Sequence, residues 1–125
     1  MVACLLDTVV IVDVLRKYAP ALDWLKDQPE PGITSVVWME IIEGAWDRAA
    51  QEEAVKVLRD FELVPIMQQD LDWAVRQMLK YQLSHQIGMA DALIAAVSHR
   101  LDIPLYTPNL KHYSPMLGNL ATKPY

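Results

Sequence analysis

At 125 residues, 53% hydrophobic and with a formal net charge of -5, the chain is long enough to bury a real core as one domain spanning residues 1–125. It is too acidic to coat nucleic acid indiscriminately. No apolar run approaches the roughly 18–20 residues of a membrane span. The apolar start lacks a basic leader and is broken by Asp7 and Asp13, so a cytoplasmic protein is expected.

The first element is Val2-Ala3-Cys4-Leu5-Leu6, an apolar run cut off by Asp7 and Thr8. Such a run suits a strand buried on both faces of a parallel sheet. Asp7 then lies at its carboxyl end, the edge where open α/β sheets collect ligands, although capping the next helix is an equal use for it. The single Cys4 can form no intramolecular disulfide and reads as core filler. A helix is predicted over about residues 8–18, with Asp13, Arg16 and Lys17 on one stripe and Val10, Ile11, Val14 and Leu15 on the other. Pro20 opens a second short helix through Leu25, and Gln28 to Gly32 reads as loop. Ile33-Thr34-Ser35 is a brief strand ending in a helix cap. A helix follows, with Val37, Trp38, Ile41, Ile42 and Ala45 apolar and Glu40, Glu43 and Asp47 on the polar side.

Residues 51–61 form another amphipathic helix, and Leu63 to Ile66 a strand that Pro65 places near an edge or a strand end. Asp70 is expected to cap a helix to about Leu83, with Leu71, Ala74, Val75, Met78 and Leu79 inward. Ser84 to Gly88 interrupts it. Met89 to Arg100 is then a helix so apolar that it must pack against the sheet, carrying Asp91 in its first turn. Leu101 to Thr107 supplies a short strand, Pro108 to Tyr113 a turn at its carboxyl end, and Leu117 to Thr122 a final edge strand. The alternation of strands and helices implies an α/β fold with a parallel sheet of about four or five strands.

In such a sheet Asp7, Glu40, Asp91 and Asn109 all approach one edge. Converging carboxylates repel one another and raise their own pKa values unless a cation is present. Oxygen donors without cysteine or clustered histidine select Mg²⁺ or Mn²⁺ over zinc, and such an ion activates water against phosphorus.

Three segments carry a more specific signal: Leu5 to Asp13, Thr34 to Ala45, and Ala90 to Ala96 continuing through Pro104 to Tyr113. In order and separation they resemble the PIN-domain family, in particular the VapC-type toxins of bacterial toxin–antitoxin pairs, and the resemblance covers nearly the whole chain. It implies a PIN-like parallel sheet flanked by helices and a Mg²⁺- or Mn²⁺-dependent endoribonuclease. It also implies a tendency to form homodimers and a small cognate antitoxin as partner. Residue by residue it places Asp7, Glu40 and Asp91 as the metal-binding acidic triad and Asn109 at a fourth site position that relatives fill with Asp or Asn.

Two positions lower the polarity and charge of the site. Val9 stands where relatives usually carry Asn, and Asn109 brings no charge, which favours one tightly held ion. They also keep open a weakened PIN domain that binds RNA or antitoxin without cutting. A haloacid-dehalogenase-like phosphatase would need a second Asp where Val9 stands, and a response-regulator receiver would need a further acidic pair. Thr8 and Thr107 could orient metal waters or phosphate, or simply cap and turn. Glu43 fits a solvated helix face, and His112 a structural place beside Tyr113. His85 and His99 have no partner at metal-ligand spacing. Trp24, Trp38, Trp46 and Trp73 fill core or interface positions.

Overall fold

A computed structural model describes residues 1–125. Five strands, β1 (Cys4–Leu6), β2 (Pro31–Thr34), β3 (Glu62–Val64), β4 (Leu105–Tyr106) and β5 (Ala121–Thr122), form one sheet in the order β3-β2-β1-β4-β5. Every neighbouring pair is parallel, so the expected α/β architecture holds. Seven helices join the strands: α1 (Thr8–Leu15), α2 (Ala19–Lys26), α3 (Ser35–Gly44), α4 (Arg48–Leu58), α5 (Gln68–His85), α6 (Met89–Leu101) and α7 (Leu110–Leu117).

The central strand is the apolar run that opens the chain. Cys4, Leu5 and Leu6 are buried on both faces, and each fully buried aliphatic side chain contributes about 1.5–3 kcal/mol. Burial pushes the Cys4 thiol up to about 11, leaving it protonated and inert, as core filler should be. β1 pairs with β2 on one side and β4 on the other. The direction of chain progression therefore reverses between β1 and β4, and a crevice opens beyond their carboxyl ends. Asp7 and Thr107 sit there, one residue past β1 and β4.

The predicted loop Gln28 to Gly32 ends early, because Pro31 and Gly32 already belong to β2. Gly32 is needed for a close approach: a Cβ there would stand 2.7 Å from Val2 Cγ1 and 3.3 Å from the Glu62 carbonyl oxygen. Pro65 follows edge strand β3 directly, where its missing N–H costs no ladder bond. α6 is buried along most of its length, from Ala92 through Ser98, and α5 packs along it.

Four local readings are corrected. α1 stops at Leu15, and Asp13 is buried rather than solvated, bonded to Arg16 Nε at 3.0 Å and to the Tyr125 hydroxyl. The turn read over Pro108 to Tyr113 gives way at Leu110 to α7, which runs to Leu117 despite Pro115, and the final strand read over Leu117 to Thr122 is confined to Ala121–Thr122. Of the stripe expected to face inward on α5, only Ala74 is buried; Leu71, Val75 and Leu79 are exposed, as is Leu83 beyond them. Trp46 is also exposed, whereas Trp24, Trp38 and Trp73 pack against the core.

Candidate active site

Asp7 owes its place to a strand that ends on it and a helix that begins after it. Its carboxylate caps α1, with Oδ1 accepting from the Thr8 N–H at 2.8 Å. The same oxygen accepts from the Tyr113 hydroxyl at 3.0 Å, and Oδ2 accepts from the Thr107 hydroxyl at 2.8 Å. The capping and site readings of Asp7 are thus compatible. Thr34 caps α3 through the Val37 N–H, which sets the phase of the helix and brings Glu40 to the crevice. There the Thr8 hydroxyl donates to Glu40 Oε1 at 2.6 Å. Asp91 occupies the first turn of α6, where its Oδ2 accepts from the Gly88 N–H at 3.3 Å.

The four residues singled out in the sequence therefore belong to one connected network. Tyr113 is its hub and was missed: a tyrosine in an apparent turn carries no local mark of burial, yet its ring is fully buried. Its hydroxyl lies 3.0 Å from Asp7 Oδ1 and 3.2 Å from Asp91 Oδ1. One phenol has one proton to give, so two carboxylate oxygens compete for a single donor. Burial, then the charges of Asp7 and Asp91, push the phenol well above its ordinary value, so it stays a donor.

Asp7 is raised above the usual carboxylate range, chiefly by burial. The bonds from Thr107, Thr8 and Tyr113 pull the other way, and the neighbouring charge of Asp91 adds to the rise.

Asn109 precedes α7 but does not cap it with its side chain. Its backbone N–H donates to the Thr107 hydroxyl at 3.0 Å, and its Nδ2 lies 3.0 Å from His112 Nδ1. That same imidazole nitrogen lies 3.1 Å from Asp91 Oδ2. Nδ1 either accepts from Asn109 or donates to Asp91, so Asn109 and the His112 tautomer are linked. His112 is thus part of the network rather than a bystander in a turn, and Glu43 stays outside it on an exposed face.

No three His, Cys, Asp or Glu side chains form a ready-made metal cage. The carboxylates are instead arranged as Asp7 with Asp91 across Tyr113, and Glu40 reached through Thr8. The donor set nevertheless fits a hard divalent cation: it is all oxygen, and the Asp7–Asp91 pair shares one hydroxyl proton between two charges.

Residues 4–112 match the PIN domain family. Over 120 residues the chain is 33% identical to Ribonuclease VapC10 of Mycobacterium tuberculosis, covering 93% of this chain and 89% of that protein. The chain belongs to the VapC group of PIN-domain proteins. Among solved structures, a toxin–antitoxin complex from Klebsiella pneumoniae superposes with a TM-score of 0.82 at 23% identity, over 98% of both chains. DNA-bound VapBC from Salmonella typhimurium gives 0.76 at 21% identity, also over 98% of both. At that identity these two likenesses speak for the PIN fold alone. No helix of this VapC-type chain is long and apolar enough to cross a membrane.

Proposed function

We propose that residues 1–125 act as one PIN-like domain, a Mg²⁺- or Mn²⁺-dependent endoribonuclease that serves in the cytoplasm as the toxin of a toxin–antitoxin pair. The observation that carries this reading is the pairing of Asp7 and Asp91 on one buried phenol, at the sheet edge where ligands collect. Asp7 and Asp91 would hold the cation, with Glu40 acting on it through water. When bound, such a cation polarises a phosphate and lowers the pKa of an attacking water. The Thr107 hydroxyl and the Thr8 N–H fix the Asp7 carboxylate, Thr8 aims Glu40, and Tyr113 spaces Asp7 from Asp91. His112 and Asn109 stand beside Asp91 to position a water or the scissile phosphate.

Two surfaces support the partners. A cleft of about 350 Å³ between α1, α3 and α4 is lined by Val12, Leu15, Ile41 and Ala54 and reaches Thr8, Glu40 and Glu53. Apolar walls ending in carboxylates suit an amphipathic antitoxin helix that brings an arginine to the acidic residues. The exposed stripe Leu71, Val75, Leu79 and Leu83 on α5 suits a second copy of the chain.

The test is cleavage of single-stranded RNA against Mg²⁺ and Mn²⁺ concentration, with and without the co-expressed partner. Metal-dependent cutting that the partner suppresses is expected; binding without cutting at any metal concentration would favour a weakened PIN domain.

Asn109 offers a finer check. Asn109→Ala should slow cleavage by about ten- to a hundredfold, as loss of a positioning group does, with metal affinity nearly unchanged. Asn109→Asp should tighten Mn²⁺ and lower metal-free stability, because a further carboxylate joins Asp91 and Asp7. Cleavage rates together with melting curves in EDTA and in Mn²⁺ report both. Unchanged values in the two variants would make Asn109 a turn residue only.

A further inference from the structure

Two clefts adjoin the carboxylate network, and they differ in chemistry. The one assigned above to the antitoxin is apolar and carries Glu40 and Glu53. The other, about 670 Å³, lies between the end of α5 and the first turns of α7. Its lining side chains include Ser84, His85, Gln86, Lys111, His112 and Ser114 and no carboxylate, in a chain with 16 acidic and 11 basic residues.

We propose that this second cleft is a nucleotide subsite seating the single-stranded RNA nucleotide next to the scissile phosphate, with Lys111 on its backbone phosphate and His85 and Gln86 facing its base. The proposal rests on the ribonuclease reading and adds where the strand runs.

Contiguity is the first argument. His112 lines the cleft and also stands 3.1 Å from Asp91 Oδ2, so a strand whose phosphate lies at the carboxylates has its neighbouring nucleotide in this space. Size is the second, since small-ligand sites run to about 300–1,000 Å³. Charge is the third. An RNA strand leaving the acidic residues through the apolar cleft would meet Glu53, whereas here it meets the exposed Lys111 ammonium.

The fourth argument is the preparation of the far wall. His85 has its Nδ1 2.7 Å from the Ser84 hydroxyl, and its ring meets that of Tyr81 edge-on at 5.4 Å. An imidazole held this way offers a fixed face for base stacking, the mode by which proteins grip single-stranded RNA. Gln86 ends α5 with φ of 55°. This is the left-handed cap that commonly ends a helix, as at Asp102 after α6, and it turns the chain so that residues 84–86 border the cleft. The clefts beside Arg76 and beside Lys26 contain Asp70 and Asp23 respectively and share no residue with the carboxylate network.

The experiment uses the full chain and a labelled single-stranded RNA of about ten nucleotides. Binding is read by anisotropy in EDTA across a salt series, and cleavage is read in Mg²⁺. Lys111→Ala should raise Kd by about three- to tenfold and reduce the salt slope by about 0.7, the value for one lost phosphate contact on a single strand. KM should rise with kcat little changed, and Lys111→Arg should restore both. His85→Ala should weaken binding and leave the salt slope unchanged. Shortening the RNA from the end that occupies the cleft should weaken wild type, and the shortened RNA should no longer distinguish wild type from Lys111→Ala. An unmoved salt slope, or mutation and truncation effects that simply multiply, would overturn the subsite. Normal RNA cleavage with an unmoved slope removes the subsite and keeps the nuclease reading; a moved slope in a protein that never cuts RNA removes the nuclease reading and keeps an RNA-binding cleft.

Discussion

Asp7→Asn is expected to lower the RNA cleavage rate by more than about a hundredfold, beyond the usual cost of losing a group that only supports a metal ligand. The metal-free fold should stay as stable as the parent or become more so. The two effects have one cause. Asp7 is buried beside Asp91, and both carboxylates turn to the single proton of Tyr113. An amide keeps the carbonyl that accepts from Thr8 and Tyr113, and its NH₂ can donate to Thr107, whose hydroxyl is free to rotate. What disappears is a buried charge, which is a liability without a cation and the means of binding with one.

The pH dependence follows in sign. The folded state raises the Asp7 pKa, so protonation of Asp7 favours folding. This contribution is fully present below the ordinary carboxylate value and is lost as pH rises through the raised folded one. In EDTA, the wild type minus Asp7→Asn stability difference should therefore fall across that acidic window and level off above it. Calorimetric titration of Mn²⁺ and paired melting curves measure both effects; equal Mn²⁺ affinity in the two proteins would rule out Asp7 as a ligand.

Asp70→Ala should have the largest effect on stability, a loss of about 2–4 kcal/mol, or roughly 10 °C in Tm. Asp70 is 1% exposed. One oxygen accepts from the Met67 N–H at 2.9 Å, closing the first turn of α5, and the other accepts from Arg100 Nε at 2.8 Å. The substitution removes a helix cap, worth about 1 kcal/mol, and strands a guanidinium that is itself mostly buried. The figure stays below that of a fully enclosed pair because Arg100 also reaches the Pro65 carbonyl and retains some access to water. Asp70→Ala with Arg100→Met should recover much of the loss, since no unpaired charge then remains. Urea unfolding of the single and double variants measures this; a single-variant loss under about 1 kcal/mol would show the pair to be peripheral.

Several features of this protein are fixed within short windows of chain. The run from Val2 to Leu6 is apolar at every position and stops at Asp7, which is enough to specify a buried strand and a carboxylate at its end. Met89 to Val97 is apolar except for Asp91, which is enough to specify a buried helix with a carboxylate in its first turn. Asp7, Asp91 and Asn109 could be named because each lies just past a strand or in the first turn of a helix, Glu40 because it lies on the polar side of the helix that Thr34 caps, and the segments around all four keep the family's order.

Other features depend on contacts between distant parts of the chain, and only the tertiary structure decided them. Tyr113 meets Asp7 across 106 positions of sequence, and no local pattern distinguishes a buried hub from a surface tyrosine. Asp13 looked solvated beside Arg16 and Lys17 until Tyr125 closed over it. The stripe on α5 has the periodicity of a packed helix, but periodicity says only that one side is apolar. Whether anything covers that side depends on where the other elements lie, and here α6 takes the side of Ala74 and leaves Val75, Leu79 and Leu83 exposed to water. Hydrophobic spacing is a property of one segment, whereas burial and hydrogen-bond closure are properties of pairs of segments that meet only when the chain has folded.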